Sequence, residues 1–278
     1  LSSSLLGGYV NPRGAPTSYY FEYGSTSAYG SQTPTGSAGS GSSEVKVSAS
    51  IAGLVAGTTY HFRLVAVSPV GTTAGPDHVF TTTSIPLSFQ LSTLSSPLSA
   101  GSSFVIEGTL LGSNSAGREV ELQMNQFPYS FGMTRLGSPV LTDASGHFSF
   151  SGISLLENAR LRVATVAVPR VSSPAILAQV AVRVVLHARR MRSHRRGRLY
   201  RLYGSVTPAD VGAHVLFKLL RPHGRTVTVA GTRIKRGGST SSRFSAVVRI
   251  RHAGLYETLV TVTNGRNVSG YSAPVRIR

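Results

Sequence analysis

Cysteine and tryptophan are both absent from the 278 residues of this chain. Without cysteine there is no disulfide framework, no thiolate zinc site and no cysteine nucleophile. Without tryptophan, the large aromatic at the centre of any core has to be one of the 11 Tyr or 11 Phe. Acids are scarce, ten Asp and Glu against 28 Lys and Arg, which makes paired-carboxylate catalysis hard to assemble. No apolar run reaches eighteen residues, so no segment reads as a membrane-spanning helix. The first residue is Leu1, with no initiator Met and no basic-then-apolar leader after it. That reads as a piece of a longer protein whose targeting segment is not in view.

What is present is a series of short apolar, β-branched runs punctuated by Gly, Ser, Thr and Pro, the pattern of an all-β chain. The clearest run is Leu54 to Ser68, LVAGTTYHFRLVAVS. Tyr60, Phe62, Leu64 and Ala66 fall on one face and His61, Arg63, Val65 and Val67 on the other, a period of two that describes a half-buried strand. A Tyr that enters a strand just after such a bend either serves as one more core aromatic or turns its hydroxyl back onto nearby backbone as a tyrosine corner. Upstream, Leu5 to Val10, Thr17 to Gly24 and Glu44 to Ile51 read as strands, residues 31–43 as a Gly/Ser/Thr loop, and His78 to Thr83 as a closing strand.

GYVNPRG, SYYFEYGSTSAYG, LVAGTTYHFRLVAVS and HVFTTT, in that order, resemble a bacterial fibronectin type III module over residues 1–83. The resemblance implies one further strand ahead of Leu5, for which only four residues remain, so a truncated module with an incompletely covered edge or core is expected. A second cycle of strands runs through residues 84–183. It is similar, more loosely, to the immunoglobulin-like surface modules of actinobacterial cell-surface proteins; Leu161 stands where its corner Tyr would be. A third cycle, 184–278, follows without a linker, and its HAGLYETLVTVT echoes the first corner, with Tyr256 after Gly254. The expected fold is therefore all-β, three tandem β-sandwiches at 1–83, 84–183 and 184–278.

Candidate chemistry is thin. Glu119 and Glu121 lie two apart on one strand face and read as solvated. Asp143 in DASG reads as a turn residue, since a hard cation needs six or more oxygens. The eight His show no ligand spacing, and there is no HExxH, GxSxG, phosphate loop or dinucleotide fingerprint. Asn267-Val268-Ser269 is a formal glycosylation sequon. No catalytic residue, metal or cofactor is assigned, and the chain is expected to be a non-enzyme.

Charge carries the remaining functional content. Residues 1–83 have three basic and three acidic groups, 84–183 six and five, and 184–278 nineteen and two. Nearly all of the net +18 therefore sits in the last third. The run RRMRSHRRGR and the alternating arginines after it nominate Arg189, Arg190, Arg192, Arg195, Arg196, Arg198, Arg249 and Arg251 as polyanion contacts, with Arg276 and Arg278 in the same alternation. Arginine pairs bidentately with phosphate and carboxylate, and each neutralised polymer charge releases a counterion. An anionic cell-envelope polymer or polysaccharide is the expected partner. Nucleic acid is disfavoured because aromatics are not interleaved in the run, with only Tyr200 and Tyr203 near it. The same excess also fits the 25-to-3 ratio of Arg to Lys in a GC-rich coding sequence, or charged faces that aid solubility.

The function expected from these features is an extracellular, secreted or cell-surface, structural or adhesive stalk, monomeric as a fragment, with a basic last section. The alternative is a set of accessory C-terminal modules of a larger surface enzyme acting on carbohydrate. A third reading has Tyr19, Tyr20, Tyr23 and Tyr29 binding sugar directly; rings in a core without tryptophan are better placed inside it.

Overall fold

The computed structural model describes residues 2–192, 198–210 and 212–278. Alternation in the sequence becomes antiparallel pairing almost throughout, and the chain is all-β, built of tandem β-sandwiches. It divides into two compact units, residues 1–87 with 111–115 and residues 88–110 with 116–278.

The strands of the first unit are β1 (Ser2–Val10), β2 (Thr17–Gly24), β3 (Ser31–Gln32), β4 (Gly36–Gly39), β5 (Val45–Leu54), β6 (Thr59–Ser68), β7 (Gly71–Ala74) and β8 (His78–Thr81). β1 and β5 form a two-stranded sheet. The second sheet runs β3-β2-β6-β7, with β4 also on β2 and β8 also on β6. The segment read as a loop at 31–43 therefore contains two short strands. Their Gly and Ser backbone completes the ladder along β2 without any apolar alternation to announce it.

Phe21 is fully buried, with the Tyr19 and Phe62 rings 6.2 and 6.4 Å away. It supplies the central aromatic in a core without tryptophan. Tyr19, Tyr23, Tyr60, Phe62, Leu64, Ala66 and Phe80 pack on that core but stay half-buried. A cleft of about 450 Å³ lined by Val10, Leu64, Ala66, Val70 and Thr73 opens on the same flank.

The second unit begins with β9 (Ser88–Leu91), β10 (Leu98–Ser99), β11 (Ser103–Leu111), β12 (Glu119–Gln126), β13 (Thr134–Arg135), β14 (Val140–Leu141), β15 (His147–Ser154), β16 (Ala159–Thr165), β17 (Ile176–Ala178) and β18 (Val180–Ala181). Its sheets are β15-β11-β9, then β13-β12-β16-β17 with β14 on β12, and a parallel pair of β10 with β18. The closing stretch of this cycle, residues 176–184, is divided. β17 pairs with β16, β18 moves across to β10, and Val184 already belongs to the next strand.

The unit continues with β19 (Arg183–Met191), β20 (Arg198–Thr207), β21 (His214–Leu220), β22 (Thr226–Arg233), β23 (Ser242–Ile250), β24 (Gly254–Thr261), β25 (Gly270–Tyr271) and β26 (Val275–Ile277). One sheet is β19-β20-β23; the other is β22-β21-β24-β25 with β26 on β24. Between them lies an apolar core centred on the fully buried Phe217, Leu202, Val206, Val215 and Val260.

Both corner tyrosines make the expected bond. The Tyr60 hydroxyl accepts from the Val55 N–H at 3.1 Å, and the Tyr256 hydroxyl donates to the His252 carbonyl at 2.7 Å. Between them in sequence, Leu161 is fully buried and the middle section dispenses with the device. Burial pushes the Tyr256 phenol pKa up. Tyr256→Phe is expected to cost the second unit about 1 kcal/mol, the net worth of one hydrogen bond. Tyr60→Phe should cost less, because its ring is half-buried and water can replace the missing partner. Denaturant midpoints of the two variants check the ranking.

A candidate anion-binding face

The sheet β19-β20-β23 has two unlike faces, as a period of two requires. Inward point Val184, Leu186, Leu202, Val206, Phe244, Val248 and Ile250, all buried. The opposite parity places Arg189, His187, Arg201, Tyr203, Arg243, Ser245 and Arg249 outward, all exposed. None of the three strands contains an Asp or a Glu.

Register sets the outward residues in rows. Arg189 lies opposite Arg201, and Arg201 opposite Val247. The next row is His187, Tyr203 and Ser245; the one after is Val185, Ser205 and Arg243. Lys235 bridges to Arg243 at the edge, with both backbone N–H groups donating across, at 2.8 and 3.0 Å. A concavity of about 510 Å³ spans these rows and is lined by Arg189, Arg201, Tyr203, Lys235, Arg243 and Ser245. Its size falls in the range of ligand sites. Among the described residues, the ion pairs join His61 to Asp77, Arg63 to Glu22, Arg135 to Glu121 and Arg266 to Glu157. No cation of this face is used in them. Four positive charges therefore converge on one hollow without a protein carboxylate to neutralise them, and their potential is directed at solvent.

Gly204 forms part of the floor. A Cβ there would collide with the Val185 carbonyl oxygen and come within 2.7 Å of the Phe244 ring. Only glycine allows β19 and β20 to approach this closely. Gly204→Ala is expected to cost about 1–3 kcal/mol, as overpacking does, read as a lowered unfolding midpoint of the second unit.

The arginines nominated from sequence do not form one cluster. Arg189 and Arg249 share the outward face. Arg190 and Arg198 have the opposite parity and are exposed at the strand ends, beyond the core. Arg192 and Arg251 are exposed just outside β19 and β23. Arg195 and Arg196 lie outside the described residues. Arg276 is on β26, in the other sheet, so it does not line up with Arg249. Arg201 ends the dense run, whereas Lys235 and Arg243, which complete the hollow, were not singled out by local density of charge. The parity of RLYRLYGS and of RFSAVVR carried the signal that places Arg201 with Tyr203 and Arg243 with Arg249. Of the two nearby aromatics, Tyr200 is buried with its hydroxyl on the Arg278 carbonyl at 2.7 Å. Tyr203 is 39% exposed, with the His187 ring 5.4 Å away.

The other candidates are engaged structurally. Asp143 Oδ1 accepts from the Ser145 hydroxyl at 2.7 Å and from the Ser145 and His147 N–H groups at 2.8 and 2.9 Å. Those bonds, that from the Ser145 hydroxyl foremost, hold its carboxyl below the usual carboxylate range. Asn267 of the sequon is buried, and its Nδ2 donates to the Leu156 and Val180 carbonyls at 2.7 and 3.2 Å. Its amide nitrogen is thus committed inside the second unit. Tyr19 and Tyr23 pack on the first core, and Tyr29 donates to Asp77 at 3.0 Å beneath the Arg63 guanidinium. Those rings are held by protein partners. Among the described residues no three His, Asp or Glu side chains gather as a metal-ligand set.

No protein-family model and no curated protein matches this sequence. Among solved structures, the chain is similar over 100% of its length, and 74% of the other's, to a tetra-tandem repeat in the extending region of a large adhesion protein, at 15% identity and a TM-score of 0.39. It is similar over 95% of its length, and 88% of the other's, to the FN1–FN3 domains of chicken CNTN1, at 14% identity and a TM-score of 0.27. Likeness this distant assigns no activity, ligand or partner to the chain.

Proposed function

We propose that this chain is a non-enzymatic structural tandem of an extracellular surface protein, a spacer or adhesive stalk that holds an anionic envelope polymer or polysaccharide through the outward face of β19-β20-β23. The observation that carries the reading is the acid-free hollow ringed by Arg189, Arg201, Lys235 and Arg243. A face kept charged only for solubility is better served by interspersed signs; here one sign is concentrated and left unpaired. The fibronectin type III resemblance of residues 1–83, and a chain made of sandwich after sandwich, support the extracellular stalk part of the reading.

The test is retention of the full chain on polyanion-coated beads. The chain should bind at ~50 mM salt and elute steeply as salt rises, because counterion release makes such binding salt-dependent. Passage of the full chain through the beads at that salt would end the anchoring reading.

A further inference from the structure

Polyanion binding in general asks only for positive charge, and the hollow contains more than that. Between the Arg189–Arg201 row and the row of Arg243 and Lys235 lies a row with no Arg or Lys, made by His187, Tyr203 and Ser245. Tyr203 is the exposed aromatic of the hollow's lining, the other, Phe244, being buried, and the His187 ring sits beside it, tilted by 31°. The two rings are neighbours across β19 and β20, with centroids 5.4 Å apart. From Arg201 to Ser205, which faces Arg243, is four residues along a strand, roughly 13 Å at ~3.3 Å per residue. The order across the hollow is cations, rings, cations.

Resting on the polyanion reading, we infer that this hollow is a glycan subsite that takes an acidic polysaccharide carrying its charge on alternate rings, with an uncharged ring stacked on Tyr203 and the acidic groups of its neighbours held by the two cationic rows. A pyranose ring offers an apolar C–H face to an aromatic side chain and hydroxyls to Ser205 and Ser245, while carboxylate or sulfate suits the arginine fork. Duplex nucleic acid carries a charge every ~3.4 Å of helix axis on each strand, which would crowd phosphates over the row without Arg or Lys. Single-stranded nucleic acid is held by successive aromatic platforms, and the described face presents one. A polyanion without rings would leave Tyr203 unused.

The test compares three probes on the full chain at one ionic strength: hyaluronate oligosaccharides, with a carboxylate on every second ring; polyglutamate of matched charge; and a single-stranded oligonucleotide. Hyaluronate should bind about tenfold more tightly than polyglutamate, roughly the worth of one good ring contact. Tyr203→Ala should abolish that advantage, bringing hyaluronate to the affinity of polyglutamate, while Tyr203→Phe, which keeps the ring, retains it. Tyr203 is exposed, and unchanged thermal unfolding of both variants confirms that the fold is intact. Equal binding of hyaluronate and polyglutamate, with no effect of Tyr203→Ala, overturns the glycan subsite and leaves the polyanion reading standing. Tighter, Tyr203-dependent binding of the oligonucleotide overturns it in favour of nucleic acid. Failure of all three probes to bind at low salt overturns both.

Discussion

Replacing Arg189, Arg201, Lys235 and Arg243 together by Gln is expected to weaken polyanion binding on the order of a hundredfold at ~50 mM salt, since several counterion-releasing charge pairs vanish at once. The slope of log affinity against log salt should also become shallower by about one for each cation removed from the hollow. These two effects separate a located site from diffuse attraction. A control with the same net charge, carrying Arg221, Arg225, Arg266 and Arg276 as Gln, changes residues outside the β19-β20-β23 sheet and outside the hollow's lining. It should keep most of the affinity and most of the slope. If the two quadruple variants weaken binding equally, overall charge suffices and the hollow has no special standing. All four altered side chains of the test variant are on the surface or in the hollow, so little of the change should come through folding.

The second large effect concerns the first unit. Phe21→Ala removes a fully buried ring at the centre of the first core, and such truncations cost about 3–5 kcal/mol. A module of this size has roughly 0.05–0.15 kcal/mol of stability per residue, and here much of its aromatic lining is only half-buried. The variant should lose most of its stability in residues 1–87, seen in calorimetry as a transition lowered by tens of degrees (each kcal/mol moves the midpoint by about 4–8 °C in a domain of this length) or missing altogether. The transition of the second unit, and binding to polyanion beads, should be unchanged. A parallel fall in both transitions would show that the two units unfold as one.

Legibility from sequence followed the range of the interactions involved. Tyr60 and Tyr256 could be placed because a corner needs only a bend, a Tyr and an alternating run, all within a dozen residues. The opposed faces of β6 were readable for the same reason. The absence of tryptophan required a Tyr or Phe at the centre of the core, but which one, Phe21, depends on packing between sheets. The strands β3 and β4 were hidden because Gly and Ser carry no alternation, and the division of residues 176–184 between sheets depends on partners far away in the chain. The hollow was only half legible. Density of arginine points to residues 189–198, but density ignores parity, and on a strand parity decides the face. Arg190 and Arg198 therefore go one way and Arg189 and Arg201 the other. Lys235 joins Arg243 through a bridge across a connecting segment, which no local pattern announces.

The most direct measurement of the central claim is an arginine footprint. The full chain is treated with a dione reagent that modifies guanidinium groups, with and without bound acidic polysaccharide, and the extent of modification at each Arg is read by mass spectrometry. The account predicts strong protection at Arg189, Arg201 and Arg243, with Arg221, Arg225 and Arg276 modified as in the free chain. Protection spread evenly over all of these, or confined to the second group, would contradict it.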